Sequence, residues 1–312
     1  MKPYTCTIII PAYNNSAVLP FTLSALSEQH IDSNWNVDVC VSDDGSTDAS
    51  VSVVRAWARK NPYTVRISAG DHAGSAAARN RGIRESTADI IFLLGADIIL
   101  RPGALMSHLA FHTKSPEESA AALGVIRWDP RLLPSPLMEW MMHGGSQNNY
   151  DALLGQMTAD PAEFFYAGCI SLKRSVLARN LFSEQFQEYG WEDLELGQRL
   201  KQNGLHLSVL HNALALHRHF YSATGITARQ RALGRGLRTY QQLYPSEALL
   251  PSSGFIKKVR RSFLIHSGLM WLLEQWVILV NNLNWPMPRI FLAYISLELW
   301  RGALKRVTFS PE

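Results

Sequence analysis

Apolar residues along this chain follow two rhythms. Short β-branched or aliphatic runs, Thr5 to Ile10, Val37 to Ser42, Thr64 to Ser68 and Ile90 to Leu94, alternate with stretches whose apolar residues recur every three or four positions. The runs predict buried strands and the stretches predict helices. The first helix spans Ser16 to Gln29, with Val18, Leu19, Leu23 and Leu26 at helical spacing. A second opens near Ser46 and passes through Val53, Val54 and Trp57, and a third, rich in small residues, begins at Gly74. Strand and helix in alternation predict an α/β fold, with a mostly parallel sheet wound by right-handed crossovers. Further along, Leu137 to Met142 reads as a short helix and Leu205 to Leu210 as a strand. Leu194, Leu196 and Leu200 begin a helix that Gly204 is suited to stop.

The stretch DIIFLLGADIIL, Asp89 to Leu100, is the most informative. Five apolar residues precede Gly95 and Ala96, and a lone acid, Asp97, follows. An acid at the carboxyl end of a buried strand stands where open α/β sheets place their ligands, although Asp is also a common turn former. The second strand ends in acids too: Asp43, Asp44 and, a little later, Asp48. Neither G-x-G-x-x-G after the first strand nor G-x-x-x-x-G-K-[ST] occurs, so the glycine-rich phosphate cradles are excluded. Acidic strand ends reach a diphosphate through a divalent cation, and they accept hydrogen bonds from a base or ribose. The same DDGSTD loop also reads as a turn in which Ser46 or Thr47 caps the next helix and Asp48 lies on its dipole.

Composition narrows the class. The 312 residues are 47% hydrophobic and 18% charged, which is globular, and long enough for one catalytic domain and an appendage. The net charge of +4 is unevenly spread. Arg229, Arg231, Arg235, Arg238, Lys257, Lys258, Arg260 and Arg261 face only Glu247 within their segment, a pattern suited to phosphates, to an anionic membrane or to plain solvation. Cys6, Cys40 and Cys169 are odd in number and widely spaced, which predicts reduced core thiols. Pro11 breaks the first apolar run before a signal-peptide core forms, so a cytoplasmic location is expected.

TIIIPAYNN, VSDDGSTD, GSAAARNRGI and the FLLGADI strand end follow one another in an order and spacing that resembles the family 2 glycosyltransferases, inverting enzymes of GT-A fold. The resemblance continues through YAGCISLKRSVL, YGWEDLELGQRL and LALHRH, and so covers about two thirds of the chain. It implies a GT-A domain over 1–222, with a nucleotide-sugar half to about residue 100 and an acceptor and catalytic half over 101–222. Residues 223–312 then form a helical extension. Pro11, Ala12 and Tyr13 would line the nucleobase pocket, Asp44 would accept from the base with Asp43 beside it, and Arg79 would stand near the diphosphate. The family's Asp-x-Asp is Gly95-Ala96-Asp97 here: the metal-binding acid is kept and the ribose-facing one is missing.

His217 and His219, at i and i+2 in an extended segment, project to one face. With Asp97, one of the two would bind Mn²⁺ or Mg²⁺, His217 by family register with His219 as the alternative, and imidazole favours Mn²⁺. Asp193 lies at the start of a helix. As a mere cap it would be worth about 1 kcal/mol; by resemblance it is the general base that deprotonates the acceptor hydroxyl, ionised beside a cationic site. Trp191 would offer a sugar ring its face or else pack in a core, with Glu192 also on the acceptor side. Cys169 stands where the family more often has Asn. Arg127 to Tyr150, hinged at Gly144-Gly145, reads as an acceptor-side loop or a structural insert.

Thr227 to Leu243 predicts a helix weakened by Gly234 and Gly236, with Arg231, Arg235 and Arg238 along one stripe. Ser262 to Val280 is apolar but interrupted by His266, Glu274 and Gln275, and Pro286 and Pro288 separate it from a second apolar helix, Arg289 to Leu304. Flanked by Lys257 to Arg261, the pair suits an amphipathic hairpin on an anionic membrane surface. Packing on the core or a homodimer through these helices are the alternatives. The sequence thus points to a metal-dependent inverting transfer from a nucleotide-sugar, a UDP-sugar first, to a hydroxyl of a glycan or lipid-linked saccharide, with no nucleic acid involved. A sugar-nucleotide-binding protein without turnover, suggested by Gly95, is one alternative. A sugar nucleotidyltransferase is another, although PAYNN is not the glycine-rich basic loop it would need.

Overall fold

The apolar runs do form strands: β1 (Tyr4–Ala12), β2 (Trp35–Asp43), β3 (Thr64–Ala69) and β4 (Ile90–Leu94). In the computed structural model, which describes residues 4–143, 148–187, 190–245 and 269–304, these four pair in parallel in the order β3-β2-β1-β4. Helices α1 (Leu19–Ser27), α2 (Ser50–Ala58) and α3 (Ser75–Glu85) connect them. Ile8 to Ile10 and Ile91 to Leu94 are fully buried, as strands covered on both faces must be. Each strand end sets a loop on one edge of the sheet, and those loops hold the acids.

The chain departs from a simple parallel sheet after β4. DIIFLLGADIIL is two strands, not one: Ile98–Leu100 forms β5, at the far end of the sheet order from β3. The turn between them is closed by hydrogen bonds from Gly95 N to Gly168 O (3.0 Å) and from Ile98 N to Gly95 O (3.1 Å). Thr22 Oγ1 of α1 donates to Ala96 O at 2.8 Å and pins it. Between β4 and β5 run β8 (Cys169–Lys173), β6 (Ala120–Trp128) and β9 (His206–His217), with β7 (Thr158–Ala159) beside β9. The pairings of β8 with β4 and β6 are antiparallel, as are those of β9 with β5 and β7; β6 and β9 are parallel.

The strand expected over Leu205 to Leu210 continues to His217. Its register against β6 slips between Gly124 and Val125, so Leu210 pairs with Gly124 and Leu214 with Val125. That bulge re-aims the end of β9. Helices α4 (Ala104–Lys114), α6 (Pro161–Phe164), α7 (Arg174–Arg179) and α8 (Glu192–Gln202) complete this half of the fold, and α8 stops before Gly204 at φ +80°.

Residues 1–132, 150–187 and 192–219 make one compact unit, and the described residues of 133–149, 188–191 and 220–312 make a second. The second contains α5 (Pro136–Met142), α9 (Ala223–Leu243), α10 (Leu269–Asn282) and α11 (Pro288–Leu304). Helix α9 runs unbroken through Gly234 and Gly236. A side chain on Gly234 would lie 2.0 Å from Leu299 O, and one on Gly302 would lie 2.1 Å from Arg231 O, so these glycines are where α9 and α11 touch backbone to backbone. The arginine stripe is turned inward as well. Arg231 pairs with the buried Glu298 (Nε–Oε2 2.5 Å), and Arg238 donates to Ala303 O. Gly144-Gly145, Lys257 to Arg261 and the first part of Ser262 to Val280 lie outside the described residues.

Gly82 tests the α3–sheet contact. A Cβ there would meet Ser42 Oγ at 2.7 Å and Ile9 Cγ2 at 2.8 Å. Gly82→Ala should cost about 1–3 kcal/mol of stability in urea unfolding, because β1 must move to accept it; an unchanged midpoint would show that α3 sits farther from the sheet.

Candidate active site

The loop after β1 and the loop after β2 are laced together. Asn14, at φ +52°, accepts from Thr47 N (2.9 Å) and Asp48 N (3.2 Å) through Oδ1, and its own N–H donates to Ser46 Oγ (2.9 Å). Asp48 accepts from Ser16 N and Ser50 N, both at 2.9 Å. Neither Ser46 nor Thr47 caps α2, whose first residue is Ser50 rather than one near Ser46. Pro11 and Ala12 are the last residues of β1, and Tyr13, an exposed residue, follows with its ring stacked 3.9 Å from that of His72.

The two adjacent acids are used differently. Asp44 is buried and accepts from Ala73 N (3.0 Å), Gly74 N (2.9 Å) and His72 Nδ1 (2.8 Å), which ties the loop before α3 to β2. Gly74, at φ +94°, has Gln187 O where a Cβ would go, 2.8 Å away, so this corner admits no side chain. Asp43 gives Oδ2 to Ser46 N (3.2 Å) and keeps Oδ1 buried without a partner. Of the pair, Asp43 holds the larger unused acceptor capacity.

Asp97 and the two histidines converge. Asp97 Oδ2 lies 3.1 Å from His217 Nε2 and 3.4 Å from His219 Nδ1, and one ligand atom from each residue falls within 4.8 Å of the others. Burial pushes the Asp97 carboxyl up, but the two imidazoles outweigh it and hold it well below the usual carboxylate range. One carboxylate oxygen and two imidazole nitrogens fit a divalent transition metal, and fit Mn²⁺ better than Mg²⁺. At Gly95 a Cβ would lie 2.8 Å from Ile98 Cγ1 and 3.2 Å from Asp97 Oδ1. The turn as built has little room for the missing acid.

Arg79 and Glu192 form a buried pair (Nη1–Oε1 3.0 Å), and Ser75 Oγ donates to the same oxygen at 2.8 Å. Glu192 Oε2 and Arg79 Nε are buried without partners. Next in sequence, Asp193 accepts from Leu194 N (2.9 Å) and from the amide of Ala167. Gly168, one residue on, is the group that accepts from Gly95, so the start of α8 and the Asp97 turn share one loop. Asp193 was expected to be ionised by its cationic surroundings. Burial first and the Glu192 charge second instead raise its pKa to about 7, against the pull of Arg79 and the two amides. Arg79, already matched by Glu192, does not offset that burial. Trp191 belongs to the second unit, where at φ +77° it donates from Nε1 to Leu233 O (2.8 Å) and packs on Tyr240.

The sequence left His72, Ser75, Trp128, Asp129 and Arg218 unremarked. It also gave no sign that Cys169 lies 3.7 Å from His108 Nε2, beside a Ser171 hydroxyl shared by His108 (2.8 Å) and His112 (2.9 Å). Burial drives both imidazoles down to about 3, which keeps this core network neutral. All three cysteines are buried and unpaired.

With this geometry in hand, the likenesses to known proteins are decisive. Residues 7–181 match the profile of glycosyl transferase family 2. The chain belongs to that family. Validoxylamine A glucosyltransferase of Streptomyces hygroscopicus subsp. jinggangensis is 30% identical over 227 residues, 65% of this chain and 53% of the relative. Hyaluronan synthase of Pasteurella multocida is 26% identical over 239 residues, 68% of this chain and 24% of the relative. The chain thus spans about half of the first relative's length and about a quarter of the second's. In structure it resembles the mannosyltransferase PcManGT of Pyrobaculum calidifontis in complex with GDP-Man and Mn2+ (TM-score 0.60, 18% identity, 96% of this chain and 88% of that one). It also resembles residues 1–349 of S. aureus TarS in complex with UDP (TM-score 0.55, 14% identity, 99% and 94%). The fold is GT-A.

The raised Asp193 pKa has a thermodynamic consequence for this family member. Unfolded, the carboxyl titrates near 4; folded, near 7. The folded state therefore holds the proton more tightly, and the stability this confers is complete below pH 4 and lost as pH rises to 7. Asp193→Asn cannot lose it. In thermal melts with chelator, the variant's midpoint should gain on wild type between pH 4 and 7 and then run parallel above; a constant gap would mean that Asp193 is already ionised at low pH.

Proposed function

We propose that this glycosyltransferase is an inverting, metal-dependent enzyme that transfers a sugar from a nucleotide donor, a UDP-sugar first, to a hydroxyl of a glycan or lipid-linked saccharide. The observation that carries the proposal is the single loop, residues 167–168, that bonds both the Asp193 helix start and the Asp97 turn. It supports a base and a metal-ligating group working on one substrate. Asp193, ionised above pH 7, takes the proton of the acceptor hydroxyl as that oxygen attacks the anomeric carbon opposite the leaving group. Asp97, His217 and His219 would hold a divalent ion, whose chemistry is to neutralise the departing diphosphate. Arg79, held by Glu192, offers its unpaired Nε to the donor, and Asp43, Pro11, Ala12 and Tyr13 receive the nucleoside, with Asp44 fixing the loop beside them. Relatives such as hyaluronan synthase of Pasteurella multocida and a minor teichoic acid biosynthesis protein of Bacillus subtilis support a polysaccharide or glycoconjugate product.

The extension is proposed to rest on an anionic membrane surface. Leu269, Trp271, Leu272, Trp276, Leu279 and Trp285 are each at least 45% exposed, and among the described residues no helix is long and apolar enough to cross a membrane.

Calorimetry with UDP, GDP and CDP, each with Mn²⁺ or chelator, is expected to give one diphosphate that binds only with metal. Asp97→Ala should weaken that binding in Mn²⁺ and hardly at all in chelator; equal loss in both would make the acid structural. Asp193→Asn should bind the donor normally but transfer sugar at least about a hundredfold more slowly, and NMR of the wild-type product should show the inverted anomer. The double variant Trp271→Ser, Trp276→Ser should lose about tenfold or more in partition onto anionic vesicles; wild-type protein that ignores such vesicles would exclude the membrane role.

A further inference from the structure

His217 and His219 both reach Asp97 because Arg218, between them, turns the other way. In extended backbone, neighbouring side chains project to opposite faces. Arg218 keeps only its N–H near the turn, donating to Asp97 O at 2.8 Å. Its guanidinium instead binds Asp129 (Nη1–Oδ2 2.6 Å) and lies flat against Phe21 of α1, 3.9 Å from the ring centroid. Asp129 has no exposed surface. It also takes Arg131 Nε on both oxygens (2.9 and 3.1 Å) and Arg131 N at 3.1 Å. The same strand end grips His217 directly: Trp128 stacks on its imidazole at 5.0 Å and 15°, and Asp129 N donates to His217 O at 3.0 Å.

We propose that Trp128, Asp129 and Arg218 are positioning residues that set the bite of Asp97, His217 and His219 on a divalent ion. The proposal rests on the reading of those three residues as metal ligands. Two physical effects support it. Partners of metal-ligating imidazoles fix ring orientation, and their loss typically costs 10–100-fold in metal affinity. The buried Asp129 carboxylate also neutralises a cation one residue from each imidazole, which would otherwise repel the ion. Helix α1 braces both sides of Asp97, through Phe21 on Arg218 and Thr22 on Ala96.

Mn²⁺ binding to the full chain, read from the electron paramagnetic resonance of the free ion, tests the clamp. Arg218→Lys retains the charge but loses the planar fork, and is expected to weaken Mn²⁺ binding by about ten- to a hundredfold. Asp129→Asn should act in the same direction. Arg131→Ala removes the more exposed of the two arginines on Asp129 (58% against 21%) and should bind Mn²⁺ like wild type. The visible spectrum of bound Co²⁺ should shift in Arg218→Lys, a change that plain destabilisation would not produce. Should Asp129→Asn fail to fold, Arg218→Lys and Phe21→Leu still decide the matter. Wild-type Mn²⁺ affinity in Arg218→Lys, or an equal loss in Arg131→Ala, overturns the clamp alone. A wild-type chain that binds no Mn²⁺ overturns the metal reading and the clamp with it.

Discussion

A half-buried carboxylate with two imidazoles on one oxygen is the constraint around which this site is built. Asp97 lies where β4 and β5 part, so it belongs to neither strand and stands between the parallel strands with their acidic loops and β9, which ends in His217. An anion in that position needs compensating charge or hydrogen bonds, since burial alone would neutralise it. His217 and His219 supply them, and they can do so only because β9 bulges opposite Gly124 and ends on β5. The turn itself depends on Gly95, whose missing side chain leaves room for Ile98 and for the carboxylate. Local backbone, sheet register and electrostatics therefore all converge on one oxygen atom.

Elsewhere in the site, satisfied and unsatisfied polar groups lie side by side. Asp44 spends its oxygens on two amides and His72, which makes it a structural tie for the approach to α3. Asp43 Oδ1, Glu192 Oε2 and Arg79 Nε are buried with no partner. A folded chain rarely tolerates such orphans without cause, because each carries an unreturned desolvation cost of about 1–3 kcal/mol. Oriented groups of this kind meet a polar ligand without first having to reorganise, which is what an electrostatically assisted transfer requires. The distinction alters the division of labour between adjacent acids that the DDGSTD motif alone would suggest.

Much of the fold was legible because each buried strand carries its own stop signal. Pro11, the Asp43 loop and Gly95 mark the ends of β1, β2 and β4, and the acids that follow them are visible in the sequence. The separation of β5 from β4 was not legible: ADIIL continues an apolar run, and nothing local says that the chain crosses to the far side of the sheet. The same holds for Asp193. Its helix start and the nearby Arg79 argued for an ionised carboxylate, but Glu192 consumes that charge across 113 residues of sequence. Gly234 was misjudged for a related reason. Helix propensity describes an isolated helix, whereas this glycine is required by the approach of α11. In each case the deciding contact is long-range.

The extension raises a different packing problem. Leu269, Leu272, Trp276, Leu279 and Leu283 recur every three or four residues along α10 and its C-terminal turn and stay exposed, while Met270, Val277 and Val280 are buried. The helix thus has two apolar stripes, and only one is covered within the described residues. Scattered exposed apolar residues are ordinary, but a continuous row marks a surface that meets something apolar. Lipid contact is constrained by length. The 14 residues of α10 extend about 21 Å, short of the roughly 30 Å hydrocarbon core. Glu274, near the middle of the helix, would have to enter that core, and Tyr294 OH donates to it at 3.3 Å. The described part of this helix, with an acid tied to its neighbour and its tryptophans outward, suits a place along an interface, and among the described residues no helix is long and apolar enough to cross a membrane. Under the proposed membrane role, α10 would therefore lie at the depth of the headgroups, where a lipid-linked acceptor presents its saccharide.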